Sequence, residues 1–176
     1  MMKTFKKNPD LAQKYGYIPG KQSANEEEIA NLAYDDKYRS EKYKLGNINS
    51  GDGWRYRGRG IKQLTGRDNY HSFTIAHEKI WGEKIDFVSN PDLVDDPVYA
   101  VRSGLYFWIS NKLYSIADTG ISKSTTDNIT KIINKATDSY DERWKHVESF
   151  YNQRLFRKIC FNTSPILSNK KAEEPK

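Results

Sequence analysis

Within residues 51–70, Gly-Asp-Gly-Trp-Arg-Tyr-Arg-Gly-Arg-Gly-Ile-Lys-Gln-Leu-Thr-Gly-Arg-Asp-Asn-Tyr, the side chains best suited to polar recognition are Gln63, Thr65 and Asn69. They are short hydrogen-bonding groups at spacings of two and four. An amide carries a donor and an acceptor together, and a hydroxyl can act as either. Glycines at 51, 53, 58, 60 and 66 interrupt the stretch at no helical period. Glycine tolerates positive φ and lets other groups approach the backbone. Arg55, Arg57 and Arg59 alternate with Trp54, Tyr56 and glycine, so basic and aromatic groups would project to opposite sides of an extended segment. Such a stretch builds no core. It can line a polar groove for a ligand rich in hydroxyl and acetamido groups. A glycine-rich surface loop and a phosphate cradle are the competing readings. The cradle wants a preceding strand and a terminal Lys-Ser/Thr, and neither is present.

The run from Tyr56 to Tyr70, Tyr-Arg-Gly-Arg-Gly-x-x-Gln-Leu-Thr-Gly-Arg-x-Asn-Tyr, resembles the signature of glycoside hydrolase family 19, which includes chitinases and phage or bacterial endolysins. Ile29-Ala-Asn-Leu-Ala-Tyr34, Leu45-Gly-Asn47, Asn90-Pro-Asp-Leu-Val94 and the region of Trp108 also look like family sequence, so the resemblance covers roughly residues 5–155. It implies a mainly α, lysozyme-like helical domain with the glycine-rich segment as substrate groove. It further implies inverting hydrolysis of a β-1,4-linked N-acetylhexosamine polymer, without metal or organic cofactor. Tyr56, Arg59, Gln63 and Asn69 stand where the family contacts sugar, and Thr65 where a hydroxyl positions water. Asn134 and Arg143 also fall at family substrate positions, although Lys135 and Ala136 replace the two glycines usual after Asn134. The residues themselves leave alternatives: Arg59 in a buried ion pair, Trp54 and Tyr70 packing instead of stacking on sugar.

Glycoside hydrolysis normally needs two carboxyl groups, roughly 6.5–9.5 Å apart in inverting enzymes. In the family both glutamates lie upstream of the groove motif, the acid following a histidine. No His-Glu pair precedes residue 51 here. The chain thus resembles a family member without the N-terminal segment that carries the pair, and a separately encoded segment is a candidate partner. Glu28 and Glu41 are the candidates for a substitute acid. Ala76-His77-Glu78 imitates the acid motif but lies after the groove, and reads as a solvated helix face. His71 and His77, six apart, share no helical face well, so no metal site is expected.

The 176 residues suit one domain, expected over 1–160, followed by a charged, disordered tail over 161–176. Hydrophobic content is low at 36%, but aromatic residues, at 13%, bury much area per side chain. No apolar run is long enough to cross a bilayer, and the basic start has no apolar stretch behind it, which predicts cytoplasmic synthesis without a signal peptide and action at the cell wall after release. Cys160 stands alone, so no internal disulfide or cysteine metal cluster can form. A net charge of +6 serves solubility or attraction to an anionic polymer. Bacterial wall carries peptide carboxylates and teichoic phosphates whereas chitin is neutral, so charge favours peptidoglycan. Scattered lysines with no recognition motif argue against nucleic acid. Two functions from different classes follow: a wall-cleaving glycosidase, or a catalytically silent glycan binder that is half of a split enzyme.

The positioning elements read as helices. Residues 1–22 form an irregular or weakly helical entry. Asn25 with Glu28 marks an N-cap box, predicting a helix from 25 to 36 with Ile29, Leu32 and Ala33 inside. Asp68 is expected to cap a helix over 69–81 burying Phe73, Ala76 and Ile80 and ending at Gly82. Ile85, Phe87, Val88, Leu93 and Val94 anchor the connection over 83–95. Asp96-Pro97 opens a helix over 97–112 whose stripe Val98, Val101, Leu105 and Trp108 predicts the central buried element. Helices over 127–135 (Ile129, Ile132, Ile133) and 139–155 (Trp144, Val147, Tyr151, Leu155) follow. No segment alternates as a strand, so the fold should be mainly α.

Overall fold

The computed structural model describes residues 9–155; the first eight residues, Cys160 and the tail expected over 161–176 lie outside that range. The described residues are mainly helical and contain no strand, with isolated antiparallel bridges joining Ile18 to Gln22 and Arg59 to Leu64. They fall into two compact units, Met1–Ser110 and Asn111–Lys176.

The first unit contains α1 (Pro9–Tyr15), α2 (Glu26–Tyr34), α3 (Asp52–Arg55), α4 (Arg67–Trp81) and α5 (Pro97–Ser110), with 3-10 turns at Asp36–Tyr38, Glu41–Tyr43 and Pro91–Asp95. Its core is aromatic: Tyr56, Tyr70, Phe73, Phe87 and Val94 are buried, with Leu64, Trp81, Ile85, Val88, Tyr99 and Tyr106 packed around them. The Phe73 and Phe87 rings stack at 4.6 Å between centroids. Such pairs add about 0.5–1.5 kcal/mol beyond the area they bury.

α2 begins as its sequence dictates, Asn25 Oδ1 accepting from the Glu28 N–H at 3.1 Å. α4 starts at Arg67, before the expected cap. Gly66 occupies the N-cap, and the Asp68 carboxylate lies instead against Gly46, where an added Cβ would stand 2.1 Å from it. Gly82 ends α4 in the left-handed region, its N–H donating to Glu78 O at 2.9 Å. The buried face of α4 is Tyr70, Phe73 and His77, while Ile80 is 41% exposed. An apolar-only pattern finds Phe73 but misses Tyr70 and His77, whose polar ends find partners inside the protein.

α5 is turned in the same way. Val98, Val101 and Leu105, expected at the centre of the core, are about half exposed; Ser103 is buried, and Tyr99 and Tyr106 pack on the core. The Tyr99 hydroxyl donates to Glu83 Oε1 at 2.8 Å, so the ring enters with its polar end satisfied.

The second unit contains α6 (Leu113–Ala117), α7 (Lys123–Asn134) and α8 (Tyr140–Asn152). α7 starts earlier than expected because Ser122 caps it, its Oγ accepting from the Thr125 N–H at 3.0 Å. Thr126 and Thr130 are its buried residues, Ile129 and Ile133 are half-buried, and Ile132 is exposed. Trp144 and Val147 of α8 are half-buried, whereas Tyr151 and Leu155 face solvent. Lys123 Nζ lies 2.8 Å from Asp127 and 3.0 Å from Asp141, joining the start of α7 to that of α8.

Candidate functional site

α2 is the seat on which the glycine-rich segment begins. At Gly53 a Cβ would stand 2.6 Å from Ala30 O and 2.7 Å from the Asn31 Cα, so only glycine admits this backbone approach. Asn31 Oδ1 then accepts from the Trp54 N–H at 2.7 Å. Held there, Asp52–Arg55 coils into the single turn of α3, which corrects the extended reading. The three arginines consequently diverge. Arg55 Nη2 donates to Ser89 O at 2.8 Å, Arg57 stacks on Trp54 at 4.1 Å from the ring centroid, and Arg59 turns inward.

The chain then folds back on itself. Arg59 N–H donates to Leu64 O at 3.2 Å, Leu64 N–H to Arg59 O at 2.8 Å, and Gly66 N–H to Tyr56 O at 2.9 Å. The hairpin tip has positive φ at Gly60 (68°) and at Gln63 (56°). Beneath it, an added Cβ at Gly60 would meet Ser103 Oγ of α5 at 2.5 Å.

Along the hairpin Gln63, Thr65 and Asn69 form one connected row. Gln63 Nε2 donates to Gly60 O at 3.1 Å, Thr65 Oγ1 to Gln63 O at 2.8 Å, and Asn69 Nδ2 to Thr65 O at 2.7 Å. Gln63 Oε1 and Thr65 Oγ1 both face Gly58, 2.8 and 3.2 Å from where its Cβ would be. Gln63 and Asn69 are exposed and Thr65 is half-buried. Each amide uses a donor on the backbone and keeps its carbonyl oxygen for solvent or ligand.

Tyr56 and Arg59 do not join that row. Arg59 is 2% exposed; its Nη1 donates to Arg55 O at 2.7 Å and to the Tyr70 hydroxyl at 2.9 Å, and its Nη2 to Asp92 Oδ1. Its Nε lies 3.4 Å from the Asp95 carboxylate, an ion pair without hydrogen-bond alignment. Of the two roles open to Arg59 in the sequence, the structure gives the buried ion pair. Burial works against its charge, but Tyr70 and Asp92 outweigh that and hold its pKa above the ordinary value. Tyr56 is 4% exposed, with its hydroxyl 3.3 Å from Val88 O and its ring against Tyr70. Tyr70 is buried, which pushes its phenol pKa up against the opposing pull of Arg59, and it packs rather than facing solvent.

A strap of buried polar groups fixes the chain entering the segment. Asp36 accepts from the N–H groups of Leu45 (2.7 Å) and Gly46 (2.8 Å). Asn47 donates to Tyr34 O at 3.0 Å and accepts from the Arg67 N–H at 2.9 Å, tying α2 to α4. Sequence reasoning missed these residues, together with Asn31 and Asp92. The signals that point toward them are the family-like segments Ile29–Tyr34, Leu45–Asn47 and Asn90–Val94, which hold Asn31, Asn47 and Asp92.

Glu28 is exposed in the first turn of α2; Glu41 is exposed and paired with Lys44 at 2.6 Å. Asn134 is exposed at the end of α7, and Arg143 Nε on α8 donates to Ser139 Oγ at 3.1 Å, both in the second unit. His77 corrects the solvated-face reading of Ala76-His77-Glu78. It is fully buried, with Nδ1 3.0 Å from Glu83 O and Nε2 3.0 Å from Arg102 Nη1, and only Glu78 faces solvent. A ring nitrogen beside a guanidinium donor must accept, so Nδ1 carries the proton. Among the described residues no cluster of three or more His, Cys, Asp or Glu could hold a metal, and no helix is long and apolar enough to cross a membrane.

A mainly helical domain carrying an exposed polar hairpin over a buried arginine is consistent with the lysozyme-like helical class. The chain is 33% identical, over 151 residues and 82% of its length, to a glycosyl hydrolase family 19 domain-containing protein of Haemophilus influenzae. It spans 61% of the length of that curated relative. No family model matches the chain.

Proposed function

We propose that this chain is a family 19 glycoside hydrolase domain that engages β-1,4-linked N-acetylhexosamine polymer along Gln63, Thr65 and Asn69, and that the polymer is peptidoglycan in preference to chitin. The observation that carries the reading is the connected row itself: Gln63 anchored on Gly60 O, Thr65 on Gln63 O and Asn69 on Thr65 O, with amide oxygens left for a ligand. Such preorganisation lowers the ordering cost of binding a flexible glycan. Gln63 supports it further, since a non-glycine residue at φ 56° carries backbone strain of the kind that gathers at ligand sites. Arg59 and Tyr56 act from inside, holding the hairpin instead of touching sugar. Asn134 and Arg143 are proposed as further substrate contacts.

The reaction is single displacement. A carboxylic acid protonates the leaving glycosidic oxygen, while a carboxylate takes a proton from the water attacking the anomeric carbon on the opposite face. Thr65 Oγ1, with lone pairs beside Gly58, orients that water. Peptidoglycan is preferred because its carboxylates and phosphates complement a net charge of +6.

A second reading rests on a specific observation: Glu28 and Glu41 are both exposed, and Glu41 is paired with Lys44, so neither is hydrogen-bonded to the row. The chain would then bind glycan without cutting it, or act with a separately encoded segment that brings the carboxyl pair. Pull-down on purified wall and on chitin, beside a turbidity assay on permeabilised cells, separates the readings. Retention with lysis supports the hydrolase, and retention without lysis the silent binder. Failure to retain either polymer would contradict both. Where lysis occurs, Glu28→Gln and Glu41→Gln are each assayed, and full activity in both removes the substitute acid.

A further inference from the structure

The row along the hairpin is not the only receptive surface. Trp54, Arg55, Arg57 and Arg59 form one side of an open concavity of about 570 Å³, and Ser89, Asn90, Pro91, Asp92 and Leu93 the other. Three guanidinium groups meet one carboxylate there, leaving the lining two charges positive. The groups are not equivalent. Arg59 has its Nη donors committed to Arg55 O, Tyr70 and Asp92, with Nε in an ion pair with Asp95, and Arg55 ties the two sides together through Ser89 O. Arg55 and Arg57 both keep spare donors, and Arg57 is the one held by Trp54 through both its backbone and its ring. Its Nη1 donates to Trp54 O at 3.1 Å and its Cζ lies over the Trp54 ring, while its Nη2 makes a 3.9 Å ion pair with Asp92 that is too long for a hydrogen bond. Asp92 is already held by Arg59 on the same oxygen.

We propose that this concavity is an anion subsite in which Arg57 binds a carboxylate of the wall peptide. The ligand's identity rests on the reading above. A guanidinium held over an indole keeps N–H donors in the planar fork that matches a carboxylate. The same fork matches phosphate, which the glycerol phosphate competitor below distinguishes. Arg57 directly precedes Gly58, the residue faced by Gln63 and Thr65, so glycan and peptide would be read from adjoining positions in the chain. The subsite would make peptidoglycan a better ligand than chitin for a local reason, beyond net charge.

The test uses the full chain and four probes: a wall-derived disaccharide–tetrapeptide with free carboxylates, the same compound with its carboxylates amidated, an N-acetylglucosamine oligomer, and glycerol phosphate as competitor. Binding is followed by NMR through the Arg57 Nε–H and Trp54 indole N–H signals. The acid form is expected to bind about tenfold or more tightly than the amide, the range of a charge-assisted hydrogen bond. Arg57→Gln should abolish that difference without changing oligomer affinity, and Arg57→Lys should restore only part of it. Matching thermal melts establish that the variants are folded. Equal binding of acid and amide, a difference that survives Arg57→Gln, or effective competition by glycerol phosphate overturns the subsite. If the oligomer binds but the acid–amide difference is absent, the subsite alone falls. If the oligomer and both wall fragments fail to bind, the groove reading falls with it.

Discussion

Arg59 and Gln63, four residues apart, show how differently one short stretch uses its polar side chains. Arg59 is an internal strut whose partner Asp92 stands 33 positions away, a distance at which no local pattern identifies the pair. Lysine carries no planar fork, so Arg59→Lys should lose about 2–4 kcal/mol in urea unfolding as buried acceptors go unpaired. Asp92 is 80% exposed, and Asp92→Asn should cost less than about 1 kcal/mol. Gln63 was legible from its spacing to Thr65 and Asn69, but its positive φ was not. Gln63→Gly relieves a left-handed conformation that costs a non-glycine residue about 1 kcal/mol or more, so the variant should melt no lower than wild type while binding glycan less well. Glu83 supplies a pH dependence. Its pKa is lowered by hydrogen bonds from Arg102 and Tyr99. A carboxyl depressed in the folded state stabilises the protein above its unfolded pKa, and that stabilisation disappears as pH falls through the folded value. Thermal melts from pH 7 to pH 3 should therefore show Glu83→Gln destabilised at neutral pH and converging with wild type in acid.

At the scale of elements, helix positions were largely readable and helix faces were not. The Asn25 cap, the Gly82 stop and the Asp96-Pro97 start all place real boundaries within a few residues. The buried faces of α4 and α5 instead follow aromatic and polar groups whose tips are satisfied internally, leaving Val98, Val101 and Leu105 in solvent. Hydrophobic period records apolar atoms and is blind to such hydrogen bonds. The alternating arginines misled in a related way, because period-two alternation reads as extended chain wherever tertiary contact is invisible. Here the contact between Gly53 and α2 decides the matter. Gly53→Ala would drive a methyl into the backbone of Ala30 and Asn31, costing about 1–3 kcal/mol. Circular dichroism melts should show its midpoint lowered by several degrees, and a midpoint unchanged from wild type would mean that α2 does not seat the segment.

For the whole molecule, similarity to a family 19 relative and a helical architecture agree with what residues 56–70 imply, while the carboxyl pair required for cleavage could not be read from sequence and is not assigned by position. The reason is physical: acid function depends on where a carboxyl stands relative to the scissile bond, which residue spacing does not record. Net charge makes a separate prediction. Retention on peptidoglycan should fall as ionic strength rises, whereas retention on neutral chitin should change little. The hairpin itself is tested most directly by calorimetric titration of an N-acetylglucosamine oligomer into wild type, Gln63→Ala and Asn69→Ala. Both positions are exposed, so folding should be preserved. Saturable binding by wild type, weakened about tenfold in each variant through the loss of a preorganised amide, is the result predicted; no binding by wild type, or equal affinity in all three proteins, would contradict the account.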